Sequence, residues 1–141
     1  ITVSPINFNT TSRDYLQTGM EVKITPKLAT SKIVVTSIFS ISYTAIVSTD
    51  YGMAARIYNL NTSAPVGSVV GTNSDALLYS NGTWNAGTGL LQFAIKVVDD
   101  QTNSTALRTY GLAIKNTTAS SDMTLNKEWG SNTITATEVA Q

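Results

Sequence analysis

One segment constrains this chain more than any other. From Lys32 to Thr44, Ile33, Val35, Phe39, Ile41 and Tyr43 fall on one face of an extended backbone, with Ser37 the only polar interruption. Lys32, Thr36, Ser40, Ser42 and Thr44 fall on the other face, with Val34 and Ile38 mixed in. A period of two held over that length specifies a strand with one face in a core and the other toward solvent or a partner. Glu21 to Thr25 reads as a strand before it, ended by Pro26, which has no N–H to give to a ladder. Two strands joined by a proline-anchored turn predict an antiparallel β-sandwich.

Composition agrees with an all-β reading. Charged residues make up only 13% of the 141, against roughly 25% in ordinary soluble domains. Thr, Ser, Asn and Gly stand in their place, and these suit strands and turns. Lys plus Arg and Asp plus Glu are nine each, so no basic excess is available to neutralise phosphates, and nucleic acid is not an expected partner. With no Cys there is no disulfide, thiolate nucleophile or thiolate metal site. With no His, a Ser-His-Asp triad is excluded and the commonest metal ligand is missing. No motif asks for a cofactor. No apolar run approaches the roughly 20 residues of a bilayer span, so membrane insertion is not expected. The length suits one domain, residues 1–141. The chain opens at Ile1 rather than Met, from which we expect a processed product or the C-terminal part of something longer.

Strand signals recur along the chain. After the opening pair come Gly52 to Leu60, with Met53, Ala55 and Ile57 in phase, and then Val66 to Val70 and Ala76 to Ser80. The last two read equally as one broken strand or as a hairpin. Leu91, Phe93, Ile95 and Val97 define the next strand, and Tyr110, Leu112 and Ile114 the one after. A short strand at Asp122 to Asn126 and a closing one at Asn132 to Val139 complete the set. No window holds a helical period. Many short strands punctuated by turns indicate a sandwich or jelly roll.

The punctuation carries a resemblance. Tyr15, Thr18-Gly19, Ile24-Thr25-Pro26 and Ser31-Lys32-Ile33-Val34-Val35 occur in that order, followed by Arg56, Val98-Asp99, Thr109-Tyr110 and a closing Ile134-Thr135 with Glu138. This order resembles the C-terminal domains of structural proteins from marine tailed bacteriophages, cyanophage-type tail-fibre and head-associated proteins, which are themselves similar to C1q/TNF-like jelly rolls. The resemblance covers nearly the whole chain. The stretch from Gly71 to Gly87 matches no pattern of that family. What the resemblance implies is a jelly roll that associates as a homotrimer. Val34, Ile38, Val98 and Val139 then become candidate interface residues, because they put apolar surface on strand faces that should be polar.

Strand parity suggests a site. If Val66 to Ser80 is one broken strand, the loops Ser48–Tyr51, Asn81–Gly89 and Thr117–Gly130 share an end of the sandwich. That end gathers Tyr51, Trp84, Asn85 and Trp129, aromatic and amide side chains suited to a glycan or protein receptor. Each Trp also reads as a lid folded over the core, and a hairpin would undo the clustering. Arg56 and Glu138, both in strands expected to be central, form a candidate structural ion pair. Asp99-Asp100 lacks the spacing of a calcium loop. Its adjacent carboxylates point to opposite faces, so they do not converge for glycoside hydrolysis.

These readings together lead us to expect a non-enzymatic virion structural domain. The favoured form is a trimeric tail-fibre domain contacting the host surface through a glycan or protein, alongside other virion proteins. A capsid decoration or head-fibre protein and a carbohydrate-binding module of a secreted protein are the alternatives. An enzyme such as a depolymerase would need converging carboxylates, and no pair is spaced to supply them.

Overall fold

The computed structural model describes residues 2–3, 8–10, 12, 14–44, 51–67, 78–82, 89–100, 103–117, 122–125 and 132–140. Among them every regular element is a strand. In chain order these are β1 (Thr2–Val3), β2 (Phe8–Thr10), β3 (Leu16–Ile24), β4 (Lys32–Thr44), β5 (Tyr51–Asn59), β6 (Ala64–Pro65), β7 (Leu78–Gly82), β8 (Gly89–Asp99), β9 (Arg108–Asn116), β10 (Asp122–Leu125) and β11 (Thr133–Val139). They form two antiparallel sheets. In the first, β4 is central, with β8 along one side and β11 and β10 end to end along the other; β1 flanks β11 and β2 flanks β10. The second runs β3-β9-β5, with β6 and β7 on the far side of β5.

The alternation of β4 places it as expected. Ile33, Val35, Phe39 and Ile41 are fully buried and join Ile95, Val97, Leu125 and Ile134 of the same sheet. Facing them are Met20, Val22, Met53, Ala55, Ile57, Tyr110, Leu112 and Ile114 of the second sheet. Fully burying each such aliphatic or aromatic side chain is worth about 1.5–3 kcal/mol, so this shared layer is what holds the sandwich together. Ser37, the polar interruption, is buried without penalty because its hydroxyl donates to the Thr133 carbonyl at 3.1 Å. Where β11 and β10 leave a gap beside β4, the buried Asn132 fills it and its Oδ1 accepts the Ser40 N–H at 2.8 Å.

The Thr18-Gly19 pair has a structural explanation. Between Gln17, opposite Ala113, and Glu21, opposite Gly111, β3 carries an irregularity in its register. Gly19 takes φ 81°, open to glycine at little cost, and the buried Thr18 hydroxyl bonds the Leu112 carbonyl at 2.8 Å. The short extended piece that the sequence suggests at Tyr15 to Gln17 and the strand expected from Glu21 are therefore one bulged strand. Pro26 ends it, and a turn from Leu28 to Ser31 (Ser31 N–H to Leu28 carbonyl, 3.2 Å) leads into β4.

Candidate functional site

Of the region read as one broken strand or a hairpin, residues 68–77 lie outside the described residues. β6 and β7 both pair antiparallel with β5, β6 at Tyr58 and Asn59 and β7 from Tyr51 to Ala55. They run in the same direction along β5, so these two described pieces are not the arms of one hairpin. Strand ends therefore converge at one end of the sandwich: Tyr43 opposite Gly89, Thr44 opposite Asp122, Tyr51 opposite Gly82 and Met53 opposite Asn116. The side chains of Tyr51, Trp84, Asn85 and Trp129 lie outside the described residues. β10 adds a correction to the loop grouping. It returns the chain along β4 from Thr44 to Ile41, and β11 begins opposite Ile38. The described residues that flank the Trp129 stretch, Leu125 opposite Ile41 and Thr133 opposite Ile38, thus sit below the strand ends at Thr44, Tyr51, Gly82 and Gly89.

Arg56 and Glu138 are not brought together. Arg56 lies in β5 opposite Ala113, and Glu138 in β11 of the other sheet opposite Ile33. Arg56 alternates with the inward Ala55 and Ile57, so it points to the outer face of its sheet, where it is 8% exposed and its Nε has no hydrogen-bond partner. Glu138 instead fastens the last strand to the turn after Pro26. Its Oε1 accepts the amides of Lys27 at 2.7 Å and Leu28 at 3.1 Å. The neighbouring Ser31 hydroxyl, the Leu28 and Lys27 amides and the Lys27 charge hold its carboxyl below the usual carboxylate range. Of these the two amides have sound hydrogen-bond geometry, whereas the buried Ser31 Oγ makes no such bond.

The apolar positions share the outer face of the first sheet. Val34 lies directly opposite Val98 on β8 and opposite Thr137 on β11; Ile38 lies opposite Ala94 and Thr133; Val139 pairs with Lys32. Ile38 is 38% exposed, and Val98 and Val139 are 45% exposed. Thr36, Thr135 and Thr137 are interspersed among them, and Lys32 and Lys96 bring charge to the same face.

Among the described residues one ion pair is buried, and the sequence pattern did not single it out. Asp99, at the end of β8, accepts the Tyr110 hydroxyl at 2.6 Å and Arg108 Nη1 at 3.4 Å. Arg108 Nη2 also donates to the Ser104 carbonyl at 3.2 Å. All three side chains are buried, and they tie β8 of one sheet to β9 of the other. Burial, and then the bond to Asp99, hold the Tyr110 phenol well above its usual pKa. The signal was present: an aspartate closes an apolar strand, and Arg108 and Tyr110 share a face at the start of the next. The motifs Val98-Asp99 and Thr109-Tyr110 meet here.

Asp99 also borders a cleft of about 680 Å³ on the open side of the sandwich, between residues 59–67 and the edge of β8. Asp100 is exposed next to it. Among the described residues no group of three or more acidic, His or Cys side chains could hold a metal ion, and no helix is long and apolar enough to cross a membrane. Neither the protein-family models nor the curated proteins compared with this chain match it.

Proposed function

We propose that this chain is a virion structural domain of a bacteriophage, a non-enzymatic jelly roll that trimerises and contacts the host surface as the tip of a tail fibre. The observation that carries the reading is the outer face of the first sheet, where the exposed Ile38, Val98 and Val139 and the half-buried Val34 form an apolar and threonine-rich surface on regular strands. Apolar positions along central β4 with Lys32 and Lys96 beside them fit a subunit interface, apolar at its centre and charged at its rim. The jelly-roll reading rests on strand order. Chain neighbours alternate between sheets at each of the steps β2 to β3, β3 to β4, β4 to β5, β7 to β8, β8 to β9 and β9 to β10, while β5, β6 and β7 stay together and β11 returns to the first sheet with β10. Two interlocked Greek keys have that order. The rim bounded by Thr44, Tyr51, Gly82 and Gly89 would face the host, and the end holding Val139 would face the particle.

Analytical ultracentrifugation is the first test. The native chain sediments as a trimer, and Val98→Asp sediments as a monomer with unchanged circular dichroism. A wild-type monomer at high concentration would sink the reading. Labelled protein that fails to bind host cells while still trimerising would shift the assignment to capsid decoration.

A further inference from the structure

We propose that Arg56 forms a binding site for a small oxyanion, a carboxylate or a phosphate, on the covered outer face of the second sheet. Its side chain is only 8% exposed, and its buried Nε has no hydrogen-bond partner. Among the described residues no carboxylate pairs with it. An arginine stays charged when it is buried, and an uncompensated buried charge is strongly unfavourable. A buried donor without a partner calls for a water or an ion, and of the two only an anion also answers the charge. Arg108 shows what the fold does elsewhere. It is as buried as Arg56, yet it has the Asp99 carboxylate at 3.4 Å and the Ser104 carbonyl at 3.2 Å.

The surroundings select the ligand. Arg56 stands opposite Ala113 and Lys115 opposite Ala54, so the two cations are diagonal neighbours on one face, about 7–8 Å apart where they leave the sheet. Lys115 Nζ lies over the Tyr15 ring, and Tyr15 packs against Tyr58, the next outward residue after Arg56 on β5. Ala54 and Ala113, both fully buried, make the floor apolar. Glu21 is a carboxylate on the same face, but it lies opposite Gly111 on β3, two strands from Arg56, and no ion pair joins them. Two diagonal cations over an apolar floor make a positive field. The Nε–H and adjoining Nη–H of a guanidinium run parallel and match two oxygens of one carboxylate or phosphate. So little of Arg56 is exposed that neither a polypeptide nor an oligosaccharide can lie on it, and the ligand is an ion of a few atoms.

The test follows Arg56 itself. The Nε–H resonance of Arg56 is recorded in the intact, isotope-labelled chain while sodium phosphate or sodium acetate is added against matched sodium chloride. At least one oxyanion should move it saturably and raise Tm by about 3–6 °C at ten times its Kd. Arg56→Met should lose that rise, and Arg56→Lys, which keeps the charge without the fork, should show a smaller one. A response to acetate alone assigns a carboxylate ligand, to phosphate alone a phosphate, and to both a general oxyanion site. Without added oxyanion, Arg56→Met should keep Tm within about 2–4 °C of wild type. The proposal is overturned if neither oxyanion moves the resonance up to about 50 mM, or if chloride moves it equally. A Tm rise shared by Arg56→Met would be a general salt effect and would also overturn it. So would a large loss of Tm in oxyanion-free Arg56→Met, which would give the guanidinium a carboxylate of the chain itself.

Discussion

On the outer face of the second sheet, Ala54 and Ala113 are fully buried and Arg56 is nearly so, while on the outer face of the first, Ile38, Val98 and Val139 stand open. Both faces belong to strands of the same sandwich, and both depart from a polar outer surface. The second sheet is covered by its own chain. Tyr15 packs edge-on against Tyr58 with centroids 6.2 Å apart, Lys115 Nζ sits 4.6 Å from the Tyr15 ring, and Leu60 and Gln17 close over Gly111. No described segment does the same for the exposed aliphatics of the first. Apolar residues on an outer face therefore mean two different things in one molecule, an internal lid in one place and available surface in the other. Sequence alternation alone cannot tell them apart.

The largest expected effect falls on the clasp between the sheets, which sets the scale for the rest. Asp99→Ala leaves the Arg108 guanidinium buried without its carboxylate and should cost about 3–5 kcal/mol in urea unfolding. A loss below about 1 kcal/mol would mean that the clasp relaxes into solvent. The next pair tests the two faces directly. Ala54→Asp places a charge on the covered face and should destabilise the fold by about 2–4 kcal/mol. Val98→Asp on the open face should change unfolding of the monomer by only about 0.5 kcal/mol. Equal effects would erase the distinction.

A subtler contrast sets Arg56 against Arg108. Arg56→Met removes a buried charge that has no carboxylate partner among the described residues and keeps similar bulk, so stability should stay within about 1 kcal/mol of wild type or rise. A large loss would reveal an anionic partner on the covered face. The smallest effect concerns acid. Because the folded-state pKa of Glu138 is lowered, its contribution is present above the unfolded value, about 4.3, and is lost as pH falls through the lower folded value. Glu138→Gln should therefore reduce Tm at neutral pH and flatten its decline below about pH 5. A parallel decline in both proteins would remove Glu138 from the acid response.

Much of the fold was legible because alternation reports local geometry. The inward phases of β4, β5, β8 and β9 follow from period two, since a half-buried strand must alternate. The bulge at Thr18-Gly19 was less legible, because it extends a strand where sequence suggests a break. The Arg56–Glu138 pairing failed for a different reason. Both residues lie in internal strands, but which sheet receives each strand depends on crossovers that composition and spacing do not encode.

By itself, then, the alternation from Lys32 to Thr44 determined that this chain builds an antiparallel sandwich and which side chains form its layer of contact. It also marked Val34, Ile38, Val98 and Val139 as out of place. Only the tertiary structure decided that these residues share one face, that Asp99 closes on Tyr110 and Arg108 across the sheets, and that β8 pairs with β4 along its whole length. The physical reason is range. Alternation is set by each residue's own backbone and its nearest neighbours, whereas pairing, edges and buried charges are set by which distant strands fold against one another.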